Sequence, residues 1–190
     1  FSISYAPTAT GVAEATLRIG AQSVSIIGSA TAPPTLPPVL FEGPRGTQQP
    51  LQQPSYTVSL AEPYPLNLIG TLTLTFNSEV FTNDATVQFA TGGRTVNFTI
   101  PAGSTRALFP NNETQIRLQT GSVAGSITVS AALATTGGVL LTTETPPSIS
   151  LTIPQSAPQL VSVQIGARTP NSFTLLVTGY STARAIAQIE

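Results

Sequence analysis

Apolar side chains recur at every second position along most of this 190-residue chain, and no stretch keeps the i, i+3, i+4, i+7 spacing of an amphipathic helix for three turns. The pattern predicts an all-β protein. Strands are expected at Phe1-Ile3-Tyr5, Ala15-Leu17-Ile19, Val24-Ile26, Tyr56-Val58-Leu60, Leu72-Leu74-Phe76, Val87-Phe89, Val96-Phe98-Ile100, Ile116-Leu118, Ile127-Val129-Ala131-Leu133, Ile149-Leu151-Ile153, Val161-Val163-Ile165 and Phe173-Leu175-Val177. Between these positions lie mostly Thr and Ser, and β-branched Thr suits the outward face of a half-buried pleated surface.

Turn chemistry divides the strands. Thr91-Gly92-Gly93-Arg94 and Gly137-Gly138 are expected to close hairpins. Pro101-Ala102-Gly103-Ser104 and Pro110-Asn111-Asn112 end strands, because Pro cannot donate to a ladder. From Thr31 to Pro54 the composition breaks into proline clusters and glutamine pairs, which predicts a semi-rigid extended spacer. Pro34 to Pro37 also fits a PxxP ligand, but tandem-domain linkers carry such runs far more often. A second, shorter junction is Pro154-Gln155-Ser156-Ala157-Pro158.

These breaks predict four parts: residues 1–32 as the last strands of one domain, 33–54 as a proline-rich linker and first strand region, 39–153 as a complete sandwich, and 159–190 as the start of a further β domain. The middle part has the strand count and roughly 100-residue scale of an immunoglobulin-like sandwich. The N-terminal piece has too few large apolar side chains to bury a core of its own, so the terminal domains are expected to be incomplete.

Composition narrows the functional classes. The chain has no His, Cys, Lys, Met or Trp and a single Asp, Asp84. It therefore lacks the commonest general bases and nucleophiles. Only 8% of residues are charged, against roughly 25% in an average protein. The seven arginines, Arg18, Arg45, Arg94, Arg106, Arg117, Arg168 and Arg184, are scattered singly, so no nucleic-acid partner is expected. Without cysteine there is no disulfide framework. No apolar run reaches the length of a membrane-spanning helix, and no signal peptide is visible at Phe1-Ser2-Ile3.

The N-terminal pattern Phe1-x-Ile3-x-Tyr5-x-Pro7-x-x-x-Gly11-x-x-x-Ala15-x-Leu17-x-Ile19, followed by Val24-x-Ile26-x-Gly28-x-Ala30, resembles the last three strands of Hydin-type, or choice-of-anchor, immunoglobulin-like domains. Such domains repeat in large bacterial surface and secreted proteins. The resemblance implies a tandem, extracellular or surface-attached structural or adhesive module with no active site. Residues 39–190 are similar in a general way to bacterial tandem immunoglobulin-like modules. The stretch from Ala85 through Val87, Phe89 and Gly93 to Ile100 looks like the central hairpin of Calx-β domains, which bind calcium through clustered acidic residues. Glu79 and Asp84 are the only acidic residues near it, a departure that puts calcium in doubt.

The densest oxygen cluster is Asn77-Ser78-Glu79 with Asn83-Asp84, but calcium needs six to eight oxygens and these residues are ordinary turn formers. The carboxylates Glu14, Glu42, Glu62, Glu79, Asp84, Glu113, Glu144 and Glu190 are too evenly spread to single out a glycosidase pair. Most aromatics occupy core positions, and Tyr64 and Tyr180 are expected to be partly exposed. Asn97-Phe98-Thr99 and Asn112-Glu113-Thr114 match the glycosylation sequon, a weak match in a Thr-rich chain.

The sequence thus predicts no catalytic, cofactor or metal residue and a non-catalytic spacer in a large secreted or cell-surface bacterial protein. The alternative is an adhesive or carbohydrate-binding module using loops at one end of the middle sandwich. Expected partners are another protein or a glycan at the cell surface, and a strand-exchange dimer through the incomplete terminal domains.

Overall fold

The computed structural model describes residues 2–7, 9–80, 83–142 and 145–185. Thirteen strands follow in chain order: β1 (Gly11–Ile19), β2 (Gln22–Ala30), β3 (Val39–Glu42), β4 (Gly46–Thr47), β5 (Ser55–Leu60), β6 (Leu68–Ser78), β7 (Gln88–Phe89), β8 (Thr95–Ile100), β9 (Ile116–Gln119), β10 (Gly125–Thr135), β11 (Ser148–Ile153), β12 (Gln159–Thr169) and β13 (Ser172–Tyr180). One 3₁₀ turn, Pro110–Asn112, is the only helical piece among the described residues. The chain is all-β.

Two sheets, β4-β11-β10-β6-β8 and β3-β5-β9-β7, face each other as a β-sandwich. Period-two alternation explains why. In β5, Tyr56, Val58 and Leu60 point inward and are buried, while Ser55, Thr57 and Ser59 are only half-covered. In β8 the same rule buries Val96, Phe98 and Ile100 and exposes Thr95, Asn97 and Thr99. Leu72 and Leu74 of β6, Ile127, Val129 and Leu133 of β10 and Leu151 of β11 meet Phe89, Ile116 and Leu118 in one core. Each such burial stabilises the fold by roughly 1.5–3 kcal/mol relative to exposure.

Two crossings close the sandwich at its sides. Strand β3 pairs antiparallel with β5, and a few residues later β4 pairs parallel with β11 in the opposite sheet. On the other side the segment Thr105–Leu108 ties both sheets. The Leu60 N–H donates to the Thr105 carbonyl at 2.8 Å and the Ala107 N–H to the Val58 carbonyl at 3.0 Å, while Thr99 and Leu108 exchange N–H···O bonds at 2.9 and 2.7 Å. Open ladder groups are thereby paired.

Several expectations are corrected. Residues 2–7 join no ladder; instead the Tyr5 ring lies against Gly28 of β2, and Phe1 is outside the described residues. Thr91–Arg94 closes no hairpin, because β7 and β8 belong to different sheets, and this also separates the two strands of the Calx-β-like stretch. The turn instead crosses between sheets, held by N–H bonds from Phe89 to the Gly93 carbonyl and from Gly92 to the Phe89 carbonyl, both 2.9 Å. Gly137-Gly138 does reverse the chain, with Thr135 and Val139 bonded across it at 2.9 Å.

The proline-rich stretch is laid onto the sandwich. Tyr64, expected at the surface, is 1% exposed, and its hydroxyl donates to the Pro34 carbonyl at 2.7 Å. Tyr56 likewise donates to the Pro44 carbonyl at 3.0 Å, and burial pushes its pKa up to about 12. Tyr180 is half-buried.

The remaining strands form two isolated hairpins. β1 and β2 pair in an unbroken register from Gly11↔Ala30 to Ile19↔Gln22. β12 and β13 pair with irregularities after Leu160 and Ile165. Neither joins either sheet of the sandwich.

Gly70 of β6 packs directly against the Phe98 ring, which itself meets the Phe109 ring in a tilted pair with centroids 5.7 Å apart. A methyl group there would overlap the buried Phe98 ring, which must shift to admit it. Gly70→Ala is expected to cost about 1–3 kcal/mol, whereas Gly166→Ala, whose Cβ would find its nearest neighbour at 3.5 Å, is expected to leave the melting temperature nearly unchanged. Equal melting temperatures for the two variants would refute this packing.

Candidate functional site

The most highly organised polar cluster lies at one end of the sandwich, around the chain's only aspartate. Asp84 is 2% exposed. It precedes β7, where the backbone N–H of Thr86 donates to its Oδ1 at 2.9 Å and the Thr86 hydroxyl at 2.5 Å. The other oxygen, Oδ2, receives the backbone N–H groups of Ser122 and Val123 at 2.7 and 3.1 Å and the Ser122 hydroxyl at 3.3 Å. Successive N–H groups converging on an anion form the concave backbone arrangement called a nest.

Gly121 makes that approach possible. It has φ +71°, a left-handed conformation, and a Cβ there would lie 2.6 Å from Asp84 Oδ2. Glycine is required at this position for both reasons.

The turn that holds Asp84 also gathers two other segments. On its N-terminal side the buried Thr120 hydroxyl donates to the Gln49 carbonyl and accepts the Gln52 N–H, both at 3.0 Å, and the Leu51 N–H donates to the Gly121 carbonyl at 2.7 Å. On its C-terminal side the Ala124 N–H donates to the Thr182 carbonyl at 2.8 Å. Thr182 is fully buried, and its hydroxyl accepts the Ser156 N–H at 2.7 Å. Arg184 donates to the Ser122 hydroxyl at 3.3 Å and stands 4.0 Å from Asp84 Oδ2. The chain leaving β13 is thus clipped back onto the sandwich.

Burial pushes the Asp84 carboxyl up. The hydrogen bonds from Thr86 and Ser122, with a smaller attraction from Arg184, outweigh it and hold the pKa below the ordinary carboxylate value. The Arg184 ion pair is minor, because a half-exposed guanidinium at this range contributes under about 1 kcal/mol. Hydrogen bonds to charged groups are worth roughly 1.5–3 kcal/mol each, so the short N–H bonds dominate.

Arg94 supports the loop from outside, donating to the Asn83 side-chain oxygen at 2.6 Å and the Asp84 carbonyl at 2.9 Å. Of the oxygen cluster singled out in the sequence, only Asp84 is buried in this knot. Asn77, Glu79 and Asn83 are exposed, and the Ser78 hydroxyl accepts the Val80 N–H at 3.1 Å. Both Asp84 oxygens face N–H and O–H donors, a set that suits an anion and does not suit a cation. Among the described residues no three acidic side chains gather.

A separate, mainly apolar groove of about 750 Å³ lies where β6, β8 and β10 meet the segment Leu108–Asn112. Thr71, Asn97, Thr99, Asn111 and Asn112 are its polar lining residues, and Ile69 and Leu140 are exposed among the apolar ones. Thr71 donates to the Asn97 side-chain oxygen at 2.9 Å. Both sequon asparagines therefore line one groove, and no titratable side chain does.

No protein-family model matches this chain, and comparison with curated proteins finds no significant match.

Replacing Asp84 by Asn removes the charge and turns an amide N–H₂ toward buried donors. The expected cost is roughly 2–4 kcal/mol at neutral pH. Because the folded pKa lies below the unfolded one, this contribution is present above the ordinary carboxylate pKa and is lost as pH falls through the folded value. The stability gap between wild type and Asp84→Asn, followed by denaturant titration, is expected to close on acidification below that range. A gap that does not narrow on acidification would show that the cost lies in the misdirected amide and not in the lost charge.

Proposed function

We propose that this chain is a non-catalytic, immunoglobulin-like structural module of a larger secreted or cell-surface bacterial protein. Its role is to set the spacing and angle of the β elements on either side of the sandwich. The observation that carries this reading is the clip. Thr182 and Arg184, which follow β13, are bonded into the Asp84 turn of the sandwich, so the β12–β13 hairpin leaves at a defined angle instead of swinging on Pro154–Pro158.

The strand partition supports the immunoglobulin-like part of the reading. β3, β5, β9 and β7 follow the order of the ABED sheet, and β11, β10 and β6, with β8 added beside β6, follow that of a GFC sheet with an extra strand. There is one exchange, since β7 precedes β8 in the chain. The resemblance of residues 1–30 to Hydin-type domains supports the tandem, surface-borne context, and the scattered carboxylates support a role without chemistry.

A second reading, adhesion to a neutral glycan, rests on the five uncharged polar side chains, Thr71, Asn97, Thr99, Asn111 and Asn112, that line an otherwise apolar groove. It lacks an exposed aromatic platform, since Phe98 and Phe109 are buried beneath it.

Spin labels at Thr75→Cys on the sandwich and Thr174→Cys on β13 test the joint, because the chain has no other cysteine. A narrow distance distribution is expected, broadening when Asp84→Ala or Thr182→Val is added. A distribution already broad in the unaltered background would sink the spacer reading.

A further inference from the structure

We propose that the sandwich bears tension applied along the chain, and that β3 and β4 are the strands that hold against it. This rests on the reading of the chain as one module within a longer protein, and adds resistance to stretching to the setting of distance and angle.

Strand direction decides how a pull is felt. β3 begins at Val39, opposite Leu60, at the end of the sandwich where the Tyr64 hydroxyl holds the Pro34 carbonyl. β11 finishes at Ile153, opposite Gly125, at the other end, where Ser122 and Val123 hold Asp84. β4 runs parallel to β11, with Gly46 opposite Leu151 and Thr47 opposite Thr152. The chain therefore enters the sandwich at one end and leaves it at the other. A pull from both sides drags β3 lengthwise along β5, and β4 lengthwise along β11.

Ladder hydrogen bonds run between strands, so lengthwise sliding strains them together, whereas peeling two strands apart strains them one at a time. All four residues of β3, Val39 to Glu42, are in register with β5. The short β4 ladder is extended by the Gln48 N–H, which donates to the Thr152 carbonyl at 2.9 Å. Between the two strands the crossing is pinned by Tyr56, whose ring packs against Gly43 and whose hydroxyl donates to the Pro44 carbonyl. Tyr56 is buried, so β3 and β4 slide only by dragging a core ring with them.

A tear at β4 would next meet the strap. There the Leu51 N–H donates to the Gly121 carbonyl at 2.7 Å, and the Leu118 N–H to the Pro54 carbonyl at 3.0 Å. Resistance to a pull follows the rate of unfolding under load and not the equilibrium stability. Bonds in this path therefore count for more than equally stabilising contacts elsewhere in the core.

The test stretches single copies of the whole chain, in which handles can be placed freely because it has no cysteine of its own. Thr35→Cys with Gln155→Cys, both exposed, pulls β3 and β4 lengthwise against β5 and β11. Asn77→Cys with Ser126→Cys, a directly paired couple, peels β6 from β10. The unfolding force is expected to be several-fold higher for the first pair. Gln48→Pro, which removes the donor to Thr152, is expected to bring that force down toward the peeling value. Gly70→Ala, outside the path, is expected to leave it nearly unchanged despite its cost in stability. Equal forces along the two axes, or equal losses in the two variants, would overturn the proposal. The comparison of axes needs no disruptive substitution, so it decides the matter even where Gln48→Pro fails to fold. Its failure would leave the Asp84 joint standing, since both handle pairs lie before Thr182.

Discussion

The end of the sandwich where the chain turns outward depends on one buried carboxylate. Asp84 accepts N–H groups from its own loop and from the Gly121–Val123 turn, two parts of the chain nearly forty residues apart. An ionised group is tolerated at such depth because both oxygens are hydrogen-bonded, so the desolvation it suffers is offset by short charge-assisted bonds. Once that turn is held, its flanking residues acquire fixed positions. Thr120 then reaches the Gln49–Gln52 strap, and Ala124 reaches Thr182 beyond the last hairpin. Three segments that sequence order keeps far apart are therefore coupled through five consecutive residues.

The sandwich and the hairpins solve the same physical problem to different extents. Alternating apolar residues form a surface that needs a second layer. Strands from Val39 to Ile153 find it in each other, with crossings at β3–β4 and Thr105–Leu108 pairing the sides. β1–β2 and β12–β13 carry the same alternation without a second sheet above them. Backbone pairing is unbroken in β1–β2 and interrupted after Leu160 and Ile165 in β12–β13, and burial is incomplete in both. The described residues thus combine a closed core with two hairpins outside it, and Thr182 bonds the chain after β13 back to the sandwich.

Individual residues show how far the alternation carries. Tyr56, Val58 and Leu60 point into the core as their spacing requires, and so do Val96, Phe98 and Ile100. Phe1-Ile3-Tyr5 has the same spacing, yet residues 2–7 find no strand to pair with, because alternation states which face is apolar and not which neighbour exists. Gly92-Gly93 reads as a hairpin turn, but a turn signal does not say whether the chain returns beside itself or crosses to the other sheet. Tyr64, next to prolines, reads as exposed; it is buried because the proline-rich stretch folds over it and offers the Pro34 carbonyl.

Composition and period were enough to establish an all-β chain, the positions of most strands and, within the sandwich, the side of each that is buried, since these follow from local backbone geometry and the transfer of apolar groups from water. The roles of Asp84, Gly121, Thr182 and Arg184 were decided only by tertiary structure. Each is an ordinary turn residue in its own segment. A hydrogen bond acquires its strength from its surroundings, and the dry, converging environment that gives these residues their weight exists only when distant segments meet.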